Sequence, residues 1–145
     1  MVIKRPVEQV FERLISISEY SKWMPKWGIF VMSEQTSDGP VGKGTTFYDK
    51  GRMGTFRGEV SDFERPTKVA FRETLRWLGM RVMEGRPRYQ LEAVDGGTNV
   101  HHVSEGQLYG IFKLMQPMAA VMARGERKRT VNALKKSLES SPQMK

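Results

Sequence analysis

The chain has 145 residues, 39% hydrophobic and 28% charged, the size and balance of one ordinary globular domain rather than a disordered tail. Its 24 lysines and arginines against 16 acids give a net charge of +8, and the lack of any cysteine excludes disulfides, thiolate catalysis and cysteine-ligated zinc. No apolar run approaches the ~18 residues of a membrane span and no signal-peptide core opens the chain, so the expected location is the cytoplasm.

Val2-Ile3-Lys4-Arg5 reads as a strand end halted by Pro6, which lacks a ladder donor and suits a first helical turn. Val7, Val10, Phe11, Leu14 and Ile15 then recur at helical spacing. Ser18 is placed to cap a second short helix over 19–24, ended by Pro25. Residues 28–32 predict a strand, and Ser37-Asp38-Gly39-Pro40 a turn. Further β-rich runs cover 45–50, 55–63, 68–74, 89–94 and 98–104, the last two joined by the hairpin signal Asp95-Gly96-Gly97. A meander of this kind has to cover one face with something. The cover is the last segment, where Leu108, Ile111, Phe112, Met115, Met118, Ala119 and Met122, then Val131, Leu134 and Leu138, recur every three or four residues. Pro117 is expected to kink or divide that helix. With no linker, repeat or low-complexity tract, residues 1–145 read as a single α+β domain.

Strand periodicity assigns side chains to faces. With Val60, Phe71, Leu91 and Val100 inward, Phe56, Tyr89 and His102 point in, while Arg57, Arg72, Gln90 and His101 point out. Phe47 inward brings Asp49 inward as well. Asp49 and His102 are thus the two unusual inward residues, because a buried carboxylate is costly unless paired and a buried imidazole tends to lose its proton. They are the candidate catalytic or anchoring groups, against a plainer reading in which Asp49 sits at a wet rim and His102 bonds a neighbour. The two histidines are adjacent and face opposite ways, so no internal zinc site and no cofactor is expected.

Phe47, Phe56, Phe71, Trp77, Tyr89, Phe112, Met115 and Met118 are the candidate ligand-binding wall, the flexible thioethers suiting variable apolar shapes or ordinary gap-filling alike. The stretch 75–83 is oddly apolar for a turn. Trp77, Leu78 and Met80 read equally as a lid hinged at Gly79, as strand residues, or as a contact patch for another subunit. The run 124–136 holds six basic residues, Arg124, Arg127, Lys128, Arg129, Lys135 and Lys136, against Glu126 alone. It reads either as a solvated helix face or as a surface for nucleic acid or an acidic membrane. No phosphate loop, dinucleotide motif, zinc-protease motif or nucleophile elbow is present.

Arg5-Pro6-Val7-Glu8 with Val10-Phe11, Trp23-Met24-Pro25, Gly42-Lys43-Gly44, Phe63-Glu64-Arg65-Pro66, Gly97-Thr98 and residues 134–139 together resemble the SRPBCC (START-like, helix-grip) superfamily, near its polyketide cyclase/dehydrase-like branch. The resemblance implies a roughly seven-stranded antiparallel sheet wrapped around a long C-terminal helix, with two short helices after the first strand. It also implies a longer opening strand than the residues before Pro6 supply, and a short one leaves an edge for a homodimer partner. It implies a cavity between sheet and helix but no universal catalytic residue, so function rests on the cavity lining. Three readings follow: a carrier of a small hydrophobic or amphipathic ligand, a cyclase or dehydratase using Asp49 or His102, and an interaction module acting through 124–136.

Overall fold

Pro6, with φ −59° and ψ 150°, divides the opening strand from the first helix. In the computed structural model, which describes residues 1–23, 30–51 and 54–140, β1 (Val2–Ile3) precedes it and α1 (Val7–Ile15) follows at once. Val10, Phe11, Leu14 and Ile15 are buried on one face of α1, the stripe the spacing predicts. A 3-10 helix over Ile17–Lys22 stands where the sequence predicts a second short helix. Met24, Pro25 and the start expected for the next strand at Gly28 lie outside the described residues.

Six further strands follow: β2 (Phe30–Gln35), β3 (Thr46–Gly51), β4 (Gly54–Glu64), β5 (Lys68–Trp77), β6 (Met80–Val94) and β7 (Gly97–Leu108). They form one antiparallel sheet in the order β1-β7-β6-β5-β4-β3-β2. β6 begins nine residues before Tyr89, where the expected run starts, and passes through Gly85 and Pro87. The apolar stretch 75–83 resolves into two strand ends and a two-residue turn at Leu78 and Gly79, with φ of 52° and 79°. Positive φ at both positions matches the twist of the flanking strands. Leu78 accepts a backbone conformation that leucine rarely adopts, and its side chain is fully exposed. β1 is fixed by close approach: a Cβ on Gly97 would lie 2.1 Å from the Ile3 carbonyl oxygen.

A 3-10 turn over Gly110–Met115 leads directly into α2 (Gln116–Ser140). Pro117 lies in the first turn, where its missing N–H costs nothing, so it starts this helix and does not divide it. Gln116 clamps that start onto β7, donating from Nε2 to the Gly106 carbonyl at 3.0 Å and accepting from the Leu108 N–H at 3.0 Å. The far end is held by buried Val131, Leu134 and Leu138, by Lys135 donating to the Val2 carbonyl at 2.7 Å, and by Arg13 donating to Ser137 Oγ at 3.2 Å.

Two apolar clusters result. The larger joins α1, Leu134 and Leu138 to Phe47, Val60, Val69, Phe71, Tyr89, Leu91 and Val100 of the sheet. Burying each large aliphatic or aromatic side chain there is worth about 1.5–3 kcal/mol. The smaller joins Phe56, Leu75 and Val82, with Phe112 packed on it.

Candidate functional site

Each row of the inner face follows from the strand register. One row runs Ser33, Asp49, Phe56, Leu75, Met83, Leu108, and the next runs Phe47, Gly58, Glu73, Gly85, Gly106. Glu73 falls between Phe71 and Leu75 on β5, so the period of two that buries those side chains buries it too. Asp49 follows Phe47 on β3 by the same rule. Asp49 is 2% exposed and Glu73 8%, and the two carboxyls hydrogen-bond one another at the junction of the two apolar clusters.

Burial pushes the Asp49 carboxyl up, against hydrogen bonds from Glu73 and Ser33. Glu73 is raised well above its ordinary value, by burial first and then by the neighbouring Asp49 charge and hydrogen bond. Two adjacent carboxyls in a poorly hydrated place cannot both ionise cheaply, so the pair keeps a proton where isolated acids would have lost theirs. Among the described residues the buried Asp49 Oδ1 has no hydrogen-bond partner beyond the proton shared within the pair. A buried acceptor of this kind costs free energy until a donor reaches it.

Beyond Glu73 the register places glycines on the inner face. Among the described residues, a Cβ built on Gly85 would meet no atom within 4 Å, and one on Gly106 only the Glu84 carbonyl oxygen at 4.0 Å. On the other side of Glu73, a Cβ on Gly58 would strike the Phe47 ring at 2.6 Å and the Arg72 carbonyl oxygen at 2.9 Å. Glu73 therefore stands at a boundary, with packed side chains on one side and open floor on the other.

Past that floor lies an aromatic step. Phe47 and Phe71 meet edge to face at 5.7 Å, as do Phe71 and Tyr89 at 6.4 Å, and His102 stacks on Tyr89 with centroids 4.1 Å apart and rings 9° from parallel. Burial, reinforced by the charge of Arg127 on α2, pulls the His102 pKa down to about 4, so the ring is neutral at pH 7. A hydrogen bond with the Arg127 backbone favours the protonated ring of His102 but does not outweigh this. Tyr89 is pushed up, by burial and then by the Glu73 and Asp49 charges, and stays a phenol.

Among the expected wall residues, Phe47, Phe56, Phe71 and Tyr89 are buried on the inner face. Phe112 packs on the smaller cluster and meets Trp77 edge to face at 5.3 Å, tying the β5–β6 tip to the turn before α2. Met115 and Met118 are half exposed or more rather than sealed against the sheet, and the Met122 side chain lies outside what is described. Asp49 and His102 stand on the same face but apart: the Tyr89–His102 row lies four residues along β5 from Glu73, roughly 13 Å at ~3.3 Å per residue. Glu73, Gly85 and Gly106 are site residues that the sequence reading does not single out. A signal for Glu73 exists all the same, since Phe71 inward implies it.

Elsewhere, a shallow depression of about 380 Å³ lies on the opposite face, lined among others by Lys68, Gln90, Glu92 and His101. Of the basic run 124–136, Lys135 is engaged in holding β1 and Arg127 lies near His102. Among the described residues no group of three or more metal-ligating side chains converges, and no helix is long and apolar enough to cross a membrane.

Residues 1–139 match the family model described as polyketide cyclase / dehydrase and lipid transport. No curated protein matches the chain in sequence. Solved structures share the fold at low identity. The Zhui aromatase/cyclase from Streptomyces sp. R1128 superposes with a TM-score of 0.72 at 12% identity, over 96% of this chain and 90% of that one. A protein from Chromobacterium violaceum gives 0.68 at 16%, over 97% and 94%. The di-domain aromatase/cyclase BexL from the BE-7585A biosynthetic pathway gives 0.67 at 11%, over 98% of this chain and 49% of that one. The family match runs over nearly the whole chain and the helix-grip architecture agrees with it: the chain belongs to the polyketide cyclase/dehydrase and lipid transport family.

Proposed function

We propose that the protein binds a small amphipathic molecule on the inner face of its sheet, between the Asp49–Glu73 pair and the Tyr89–His102 stack. One observation carries this reading: among the described residues, a buried polar pair short of a donor borders a floor, Gly85 and Gly106, that no side chain fills. Apolar walls with a few polar anchors are the usual composition of small-molecule sites. Phe47, Phe56, Phe71 and Tyr89 supply the walls, and Trp77, Phe112, Met115 and Met118 the approach to them. Native mass spectrometry of the protein as purified is expected to show an excess mass that vanishes on denaturation. Gly85→Leu, whose side chain enters open space, is expected to abolish that mass without unfolding the protein. An unchanged adduct in folded Gly85→Leu overturns the assignment.

A second reading is favoured by the carboxyl pair and by the aromatase/cyclases among the fold neighbours. Here the same cleft carries out a cyclase- or dehydratase-like step. Ionised Asp49 takes a proton from the carbon beside a carbonyl while protonated Glu73 donates to the carbonyl oxygen, leaving an enol and an exchanged pair. Activity on a polyketide-like substrate is then lost in Asp49→Asn, with His102→Gln testing the other candidate base. Full turnover in both variants excludes this chemistry.

A further inference from the structure

The Asp49–Glu73 pair has an unmet electrostatic need. Among the described residues no lysine or arginine forms an ion pair with either carboxyl; their bonded partners are each other and Ser33. Burial makes that unusual, because buried charge is normally matched by an opposite charge or a full set of donors. Among the described residues Asp49 Oδ1 has no donor other than the proton shared within the pair. Among the described residues nothing crowds the glycine floor beside Glu73, which leaves room there for an incoming group. Arg127 of α2 acts instead on His102, about four residues further along the strands.

We infer that the Asp49–Glu73 pair recognises a protonated amine on the molecule held in the cleft, an assignment that rests on the cleft reading above. An ammonium supplies both things the pair lacks: a positive charge and N–H donors, one for Asp49 Oδ1. A pair that holds one proton carries a single negative charge, which one amine neutralises. An anionic head group would add a charge of the wrong sign. A hydroxyl would supply the donor and leave the charge unmatched.

The test uses three probes with the same alkyl chain, dodecylamine, dodecanol and dodecanoate, titrated calorimetrically into the full chain below their aggregation limits. The amine is expected to bind about tenfold tighter than the alcohol, as a charge-assisted hydrogen bond in a poorly hydrated site gives, with dodecanoate weakest. Asp49→Asn and, separately, Glu73→Gln should erase the preference, so that amine and alcohol bind equally within each variant, with thermal melting confirming that both fold. Equal affinity for amine and alcohol, or a preference that survives Asp49→Asn, overturns the amine assignment while leaving the cleft reading standing. Binding that persists in Gly85→Leu places the probes on the exposed apolar surface and overturns the assignment as well. No binding of any probe removes the cleft reading and the amine assignment together.

Discussion

Glu73 and Glu84 lie on adjacent strands, one register position apart and on opposite faces of the sheet, and both are buried. Their surroundings could hardly differ more. Glu84 accepts from Arg72 Nε at 2.9 Å and from Arg86 at 2.7 Å, with the Tyr109 hydroxyl 3.4 Å away. Burial opposes its ionisation, yet the hydrogen bonds and charges of Arg86 and Arg72 outweigh that and hold its pKa low. Glu73 has a second carboxyl instead, and its pKa is driven up. The outer face satisfies its buried acid from within the chain; the inner face leaves the matching requirement open. An acid with its counter-charges is accounted for by the fold, whereas strongly perturbed acids cluster at functional sites.

The largest effect should come from breaking the satisfied site. Glu84→Gln leaves two arginines without their anion and is expected to cost about 1–3 kcal/mol in chemical denaturation, toward the low end because both arginines are half exposed. Glu73→Gln should do the reverse, raising stability at pH 7 by about 1 kcal/mol, because folding no longer has to hold a proton on a carboxyl that the unfolded chain ionises. The two substitutions also differ in sign against pH. Glu84, with a lowered folded pKa, stabilises above the ordinary value of 4.5 and loses this as pH falls through the folded pKa. Glu73, with a raised one, is fully accommodated below 4.5 and becomes a growing liability as pH rises toward its folded pKa. Both variants should therefore approach wild type in acid and part in opposite directions toward neutrality. Equal slopes of the two differences would refute the contrast.

A third comparison separates the two sides of Glu73. Gly58→Ala should destabilise by about 1–3 kcal/mol, since its methyl must displace the Phe47 ring and meets the Arg72 backbone. Gly85→Ala should stay within about 0.5 kcal/mol of wild type, as substitutions clear of packed features do. Thermal melting of the pair measures the openness of the floor directly.

Much of this arrangement is legible in the residue pattern. Period-two alternation puts Phe47, Asp49, Phe56, Phe71, Tyr89 and His102 on one face, and the helical spacing of Val131, Leu134 and Leu138 marks the end of α2 that packs. Glu73 is equally implied by Phe71, but a charged residue in a strand is naturally read as facing water. Gly85 and Gly106 are hidden for a different reason. Gly85 and Pro87 look like breakers, so the pattern starts the β6 run at Tyr89 and leaves its floor outside the predicted strands. Spacing also shows which side chains of a helix share a face but not how far that face stands from the sheet. It can therefore assign Met115 and Met118 to a stripe and not to a burial depth.

The attachment of α2 at both ends has a mechanical corollary. Between the Gln116 clamp and buried Thr130 the helix spans roughly 21 Å, at ~1.5 Å per residue, as a beam pinned at its two supports. Such a beam does not swing aside like a door; it bows. Gly125 lies between the supports, where a residue without a side chain is about 1 kcal/mol poorer than alanine at sustaining helix. Molecules passing under the beam would thus meet a threshold set by the flexure of one helix around Gly125, with both supports still seated.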